Sequence, residues 1–206
     1  MNDQIHTIST WLGSGSINIF GLPFAGKDTQ GETLAKLFSA ELVAGGDILR
    51  SHNNQEELQH IMATGALIPT DMYFSILLPY LSQEAFTGKP LILSSVGRMN
   101  GEQETIVKAT ADSGHPIKAV VMLSMPEEVV WERYEIAQQT ADRGTRADDG
   151  NRDVLANRLN KFRAQTIPVI EFYREKGLLI EVDGTLSREE VTQEILGALS
   201  ERAAAA

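Results

Sequence analysis

Five short apolar runs recur along the chain: Ile17 to Phe20, Leu42 to Ala44, Leu91 to Leu93, Ala119 to Leu123 and Leu178 to Val182. Between them the apolar residues take helical spacing, as in Thr29 to Glu41 and Gly101 to Asp112. The longest helical pattern covers Arg152 to Glu175, and Pro168 inside it is set to kink or split the helix. Short strands alternating with helices predict an α/β fold, with a five-stranded parallel sheet flanked by crossover helices. The second strand has the weakest pattern of the set. Ahead of the first strand, Ile8, Trp11 and Leu12 have helical spacing and are expected to pack on the sheet edge. Ser14-Gly15-Ser16 then breaks that helix.

The pattern shows no repeats and no long low-complexity linker, and 206 residues suit one domain. Hydrophobic content of 42% supplies a core. A net charge of −10 argues against nucleic acid or an anionic membrane surface as the main partner. No apolar run approaches the roughly 18 residues of a membrane span, and the acidic, polar N-terminus does not read as a signal peptide. The chain has no cysteine, which removes disulfides and thiolate metal sites and permits a cytoplasmic home. His6, His52, His60 and His115 lack metal-site spacing and read as surface or packing residues. Arginines are sparse before Arg98, where only Arg50 occurs, and frequent after it. Most read as solvated helix faces, although guanidinium forks also suit phosphate.

Directly after the first strand comes "GLPFAGKDTQG", Gly21 to Gly31. Gly21-x4-Gly26-Lys27 fits the phosphate-loop pattern GxxxxGK[ST] except at its last place, where Asp28 stands and Thr29 follows. Glycines in such a loop let backbone N–H groups turn inward around a phosphate, and the lysine reaches the outer phosphates. A helix opening at Thr29 would aim its positive dipole end at the same anion. A carboxylate next to the lysine is out of keeping with an anionic ligand. Asp28 is therefore expected to point away from the phosphates and to cap or salt-bridge nearby, where the helix dipole favours it.

The loop resembles the GxPGxGKGTQ loop of adenylate kinases, in which one residue also separates lysine from threonine. Further stretches resemble that family in order. "GGDILR" (Gly45 to Arg50) is similar to TGDMLR and "GALIPTD" (Gly65 to Asp71) to GKLVPDE. "MPEEVVWERY" (Met125 to Tyr134) is similar to VPDELIVERI, "TRADD" (Thr145 to Asp149) to TRKDD, and "VDGT" (Val182 to Thr185) to VDGT. The likeness spans about residues 16 to 200. It implies a P-loop NTPase fold in one nucleoside monophosphate kinase domain. The core would take in 16–45, 76–134 and 147–200, with an acceptor-binding segment at about 46–75, a short lid at about 135–146 and an extension at 1–15. It implies transfer of the γ-phosphoryl of ATP to AMP by a monomer, with Mg²⁺ held through phosphates and water rather than by direct protein ligands.

The resemblance also implies roles. Lys27, with Gly21, Ala25, Gly26, Asp28 and Thr29, would hold the donor phosphates. Arg133 would stack on the donor adenine, and Gly184 would border it. Arg50 and Arg98 would take the acceptor phosphate, with Gly45, Leu67, Ile68 and Gln103 around the acceptor base. Arg146 and Arg158 would close over the transferring group. No nucleophile stands out, and phosphoryl transfer needs none.

Several positions depart from the family pattern. "LSSVGR" (Leu93 to Arg98) stands where the family has LDGFPR, so the aspartate that helps hold the magnesium water shell is replaced by Ser94. Phe24 replaces a loop glycine, Gly45 replaces a threonine beside the acceptor base, and Ala137 replaces an arginine for which Arg143 could substitute. Gly45 keeps open a CMP/UMP-type or broad-specificity kinase. Ser94, Ala137 and Asp28 keep open a catalytically weak nucleotide-binding protein.

Overall fold

Five parallel strands pair in the order β2-β3-β1-β4-β5: β1 (Ser16–Gly21), β2 (Glu41–Ala44), β3 (Leu91–Ser94), β4 (Ile117–Ser124) and β5 (Leu179–Asp183). The structure, a computed structural model, describes residues 2–51, 68–140 and 151–206. The helices are α1 (Asn2–Leu12), α2 (Lys27–Phe38), α3 (Gly45–Ser51), α4 (Thr70–Leu81), α5 (Gln103–Asp112), α6 (Glu127–Thr140), α7 (Arg152–Lys161), α8 (Ile167–Glu175) and α9 (Arg188–Ala204). Each expected strand forms, including the weakly patterned second one. This is the P-loop NTPase architecture.

Alternating residues of the strands separate two cores. On one face Ile17, Ile19, Ile92, Val121 and Ile180 pack with α2 and α9, and with Ile8 and Leu12 of α1. The N-terminal helix therefore covers a face of the sheet rather than its edge, because its apolar stripe meets Val191, Ile195 and Leu199 of α9 there. On the other face Phe20, Val43, Leu93, Val120 and Met122 pack with α4, α5 and α8 through Leu77, Ile106 and Tyr173.

Two helix boundaries differ from the pattern. α2 opens at Lys27, earlier than Thr29, because Gly26 at φ 86 delivers the chain straight into the helix. It closes at Phe38 rather than Glu41, because Ser39 turns left-handed (φ 52) and Glu41 begins β2. The long pattern from Arg152 splits, as Pro168 suggested. The break is a π-helical turn, Phe162–Thr166, that places Pro168 in the first turn of α8, where its missing N–H does no harm.

Topology places the site. From β1 the chain crosses over β3 to β2, and from β3 it crosses over β1 to β4. Neighbouring strands whose connections leave in opposite directions open a crevice at their carboxyl ends. The loop after β1 and the loop after β3 line that crevice. A buried asparagine ties them: Asn18 of β1 donates from Nδ2 to the Val96 carbonyl (2.8 Å) and accepts the Val96 N–H at Oδ1 (3.3 Å).

Replacing Asn18→Ala would orphan both backbone groups of Val96 in a dry interior. Unmade buried hydrogen bonds of this kind cost about 2 to 4 kcal/mol together. Asn18→Leu fills the space but satisfies neither group, so urea unfolding is expected to show a comparable loss for both variants. A stable leucine variant would contradict this role.

Candidate active site

The phosphate loop is shaped by three tight residues. A Cβ on Gly21 would lie 3.0 Å from the Leu123 carbonyl and 3.1 Å from the Ala25 side chain, so any larger residue would have to displace its neighbours on β4 and in the loop. Gly26 takes φ 86 and caps α2. Phe24 takes φ 62, a left-handed conformation that a bulky residue holds only when its surroundings enforce it. Its ring meets Tyr134 edge-on at 6.0 Å and joins the cluster of Leu22, Val130, Tyr134, Leu155 and Leu159. Its carbonyl accepts from Arg133 Nη1 at 3.1 Å. The substitution of a family glycine is thus compensated by packing against α6 and α7.

Lys27 Nζ donates to the Leu22 carbonyl at 2.9 Å, which folds the ammonium over the mouth of the loop. Thr29 follows in the first turn of α2. Asp28 Oδ1 accepts from Ser94 Oγ at 3.0 Å, across the crevice at the end of β3.

Arg133 gathers the donor side. Besides Phe24 it donates from Nη2 to the carbonyls of Gly184 (2.9 Å) and Thr185 (3.4 Å), bridging the loop after β1 to the turn after β5. Gly184 is pinned under it: its N–H donates to the Ser124 carbonyl at 2.7 Å, and a Cβ would sit 3.1 Å from that oxygen. Asp183 shapes the turn by accepting from the N–H and hydroxyl of Thr185, which hold its carboxyl below the usual range. Arg158 is half-buried on α7, between Leu155 and Leu159 of the cluster that backs the loop.

The acceptor side is built from the loop after β3. Gly97 (φ 68) allows a close approach: a Cβ would sit 2.3 Å from Ile106 Cγ1. Its N–H donates to the Tyr73 hydroxyl at 3.0 Å, and burial pushes that phenol up, so it stays neutral. Arg98 is exposed at the crevice, with its carbonyl held by the Thr166 hydroxyl at 3.0 Å from the π turn. Gly45 opens α3 at the same place, 3.5 Å from the Tyr73 hydroxyl and the Ser95 carbonyl as measured from a Cβ position. Ile68 is buried, and Gln103 turns back to accept the Gly101 N–H at 2.8 Å. The backbone of Arg50 lies in α3, and its side chain lies outside the described residues, as do Leu67, Arg143 and Arg146. Most of the two closing segments, 46–75 and 135–146, falls there too.

Sequence reasoning missed Asn18, Tyr73, Glu102 and Thr166, which touch the site's backbone rather than presenting a motif. Glu102 is buried and accepts from the Met99 N–H (3.0 Å) and the Thr70 hydroxyl (3.4 Å), so it holds the Arg98 loop to α4. Among the described residues no three His, Cys, Asp or Glu side chains group to hold a metal, and no helix is long and apolar enough to cross a membrane.

Burial pushes the Glu102 carboxyl above its ordinary 4.5, against the hydrogen bonds from Met99 and Thr70. The folded protein then holds this proton more tightly than the unfolded chain does. The stability it brings is fully present below 4.5 and is lost as pH rises through the folded value. Glu102→Gln cannot titrate. The stability of wild type minus that of Glu102→Gln is therefore expected to fall as pH climbs from 4.5, in urea titrations across that window. A flat difference would show that the carboxyl is not held up.

A family model described as adenylate kinase matches residues 19–178. The chain is 34% identical over 183 residues to an adenylate kinase of Parvibaculum lavamentivorans, covering 86% of this chain and 88% of that protein. It is 32% identical over 185 residues to one from a Synechococcus strain (87% and 96% covered), and 32% identical over 194 residues to one from Thermobifida fusca (90% and 98% covered). With the loop, the crevice and its flanking arginine in place, the chain belongs to the adenylate kinase family, the phosphotransferases of nucleoside monophosphates.

Proposed function

We propose that this protein moves the terminal phosphoryl group of ATP to AMP, reversibly, giving two ADP. An acceptor phosphate oxygen bonds to the γ-phosphorus as the bond to the β–γ bridging oxygen breaks, and ADP leaves. Such a transfer asks the protein to align two phosphate chains and to neutralise crowded charge. One observation carries the reading: the Gly21–Gly26 turn delivers Lys27 and the start of α2 to the same crevice that Arg98 borders.

In this reading Lys27 exchanges the Leu22 carbonyl for the donor's outer phosphates, beside the N–H groups of Gly26, Asp28 and Thr29. Arg133 spends its edge on three carbonyls, which leaves a guanidinium plane for the adenine to stack on, with Gly184 alongside. Arg98 and Arg50 hold the acceptor phosphate, and Arg158 with Arg146 covers the transferring group. Gly45, Leu67, Ile68 and Gln103 border the acceptor base. The chain acts as one kinase domain and as a monomer, with the acceptor held by about 46–75 and the phosphates covered by about 135–146. A cytoplasmic location, where ATP and AMP meet, fits this reading. Mg²⁺ accompanies ATP and, when bound, neutralises phosphate charge. The oxygen donors of Asp28, Thr29 and Ser94 suit this hard cation, which keeps its waters.

A second reading, a kinase of broader acceptor range, rests on Gly45. A Cβ there would make only ordinary contacts at 3.5 Å, so the position has room for at least a methyl group.

Lys27→Ala is expected to leave the melting temperature near wild type and to lower kcat by at least about 10²-fold, the scale of one preorganised charge contact in a transition state. A coupled assay reads this directly, and a near-normal kcat would remove the loop from the reaction.

Across AMP, CMP, UMP and GMP, AMP is expected to have the highest kcat/KM, with measurable activity on at least one other. Gly45 does not take a positive φ, so Gly45→Thr is tolerated by the backbone. It is expected to sharpen the AMP preference by about 10- to 200-fold, the range of one methyl-scale contact. Strict AMP specificity in the wild type, or a preference for CMP or UMP, would overturn this account of the pocket.

A further inference from the structure

Asp28 is the second residue of α2, directly after the lysine of the phosphate loop. A carboxylate there stands beside the place that a phosphate loop offers to a nucleotide's outer phosphates. The carboxylate is half-buried at the switch point of the sheet, and Ser94, the buried last residue of β3, donates to its Oδ1 at 3.0 Å. Ser94 is paired across the ladder with Ile19 of β1, so strand pairing fixes where its hydroxyl stands. The carboxylate is thus aimed by a hydroxyl on a neighbouring rigid strand, next to the place where a nucleotide's outer phosphates would lie. A carboxylate and hydroxyls beside phosphate oxygens are the donor set that Mg²⁺ takes, usually with several waters retained.

We propose that Asp28 is the carboxylate that holds the hydrated magnesium of the bound nucleotide, and that Ser94 is the positioning residue that orients it. The inference rests on the nucleotide site proposed above. It explains two departures in this chain as one arrangement. Position 94 carries a hydroxyl because the carboxylate has crossed to the loop side of the crevice, and the loop tolerates a negative charge because that charge faces the metal. The bond from Ser94 holds one oxygen of Asp28 on the β3 side.

The test is the preference for metal-bound over metal-free ATP, which needs no turnover. Titration calorimetry with ATP in excess Mg²⁺ and in EDTA gives the ratio of the two affinities. Mn²⁺ in place of Mg²⁺, followed by electron paramagnetic resonance with a non-hydrolysable ATP analogue, gives the metal's affinity in the ternary complex. Asp28→Asn keeps the shape and an acceptor for Ser94 but loses the charge. It is expected to lower the preference and the Mn²⁺ affinity by about 10- to 100-fold, the scale for groups that hold a metal through its shell, while metal-free ATP binds as well or better. Ser94→Ala is expected to lower the metal preference less than Asp28→Asn and to leave metal-free binding unchanged. The exchange Asp28→Ser/Ser94→Asp returns a carboxylate to the crevice from the strand side and is expected to recover most of the preference. If Asp28→Asn binds ATP and keeps the wild-type metal preference, or if the folded exchange variant stays as low as Asp28→Asn, the assignment fails and the phosphate loop stands. If the wild type binds neither form of ATP, the loop reading fails and this inference with it.

Discussion

Backbone N–H groups can face a phosphate only if the chain leaves β1 and enters α2 with no room to relax, and the rest of the site is arranged around that turn. Gly21 is wedged against Leu123, Gly26 is left-handed, and Phe24 is left-handed without being glycine. Such a turn is not stable on its own. It is held from one side by the cluster of Leu22, Tyr134, Leu155 and Leu159, and from another by Arg133, whose three carbonyl bonds tie it to the turn after β5. Below it, Gln30 of α2 donates to the Arg188 carbonyl (2.9 Å) and accepts from Thr192 (2.8 Å), fixing the helix to α9. The donor site is therefore rigid because four elements hold one loop.

The acceptor side follows the same logic with different parts. There the loop after β3 is irregular, with Ser95 and Gly97 both left-handed. Its backbone is satisfied piece by piece: Asn18 takes both groups of Val96, Tyr73 takes the Gly97 N–H, Thr166 donates to the Arg98 carbonyl, and Glu102 takes the Met99 N–H. Arg98 reaches the crevice on a backbone whose neighbours are all accounted for. Preorganisation of this kind lets a charged side chain act without first ordering its own loop.

Much of this was legible in the chain, for a physical reason. The central strands β1, β3 and β4, buried on both faces, leave apolar runs that need no context, and the edge strands β2 and β5, only partly buried, were read from shorter runs. Loop glycines and the lysine follow fixed local spacing, so Gly21, Gly26 and Lys27 stood out at once, whereas the role of Arg98 came from the resemblance. Asn18, Tyr73 and Thr166 did not stand out, because each acts on a backbone group far along the chain: Asn18 and Val96 are 78 residues apart, and Thr166 and Arg98 are 68 apart. Glu102 acts on the nearby Met99 N–H but belongs to no motif. Asp28 was noticed as an oddity, but its hydroxyl partner could not be read from the loop, because it stands 66 residues later on another strand. The early end of α2 was hidden similarly, since Ser39 carries no glycine-like signal for its left-handed φ.

The π turn at Phe162–Thr166 has a further consequence for how the chain can change over generations. A π turn holds a residue more than an α-helical turn would, so this segment carries a surplus residue that could be deleted without breaking the helix. Deletion of one residue would let the turn close as ordinary α-helix, and Val169, Ile170 and Tyr173 would keep their places on the sheet. The Thr166 hydroxyl, which stands in the turn itself, would leave the Arg98 carbonyl. A residue can thus be lost here without unseating the core, while the loop that carries Arg98 loses one of its ties.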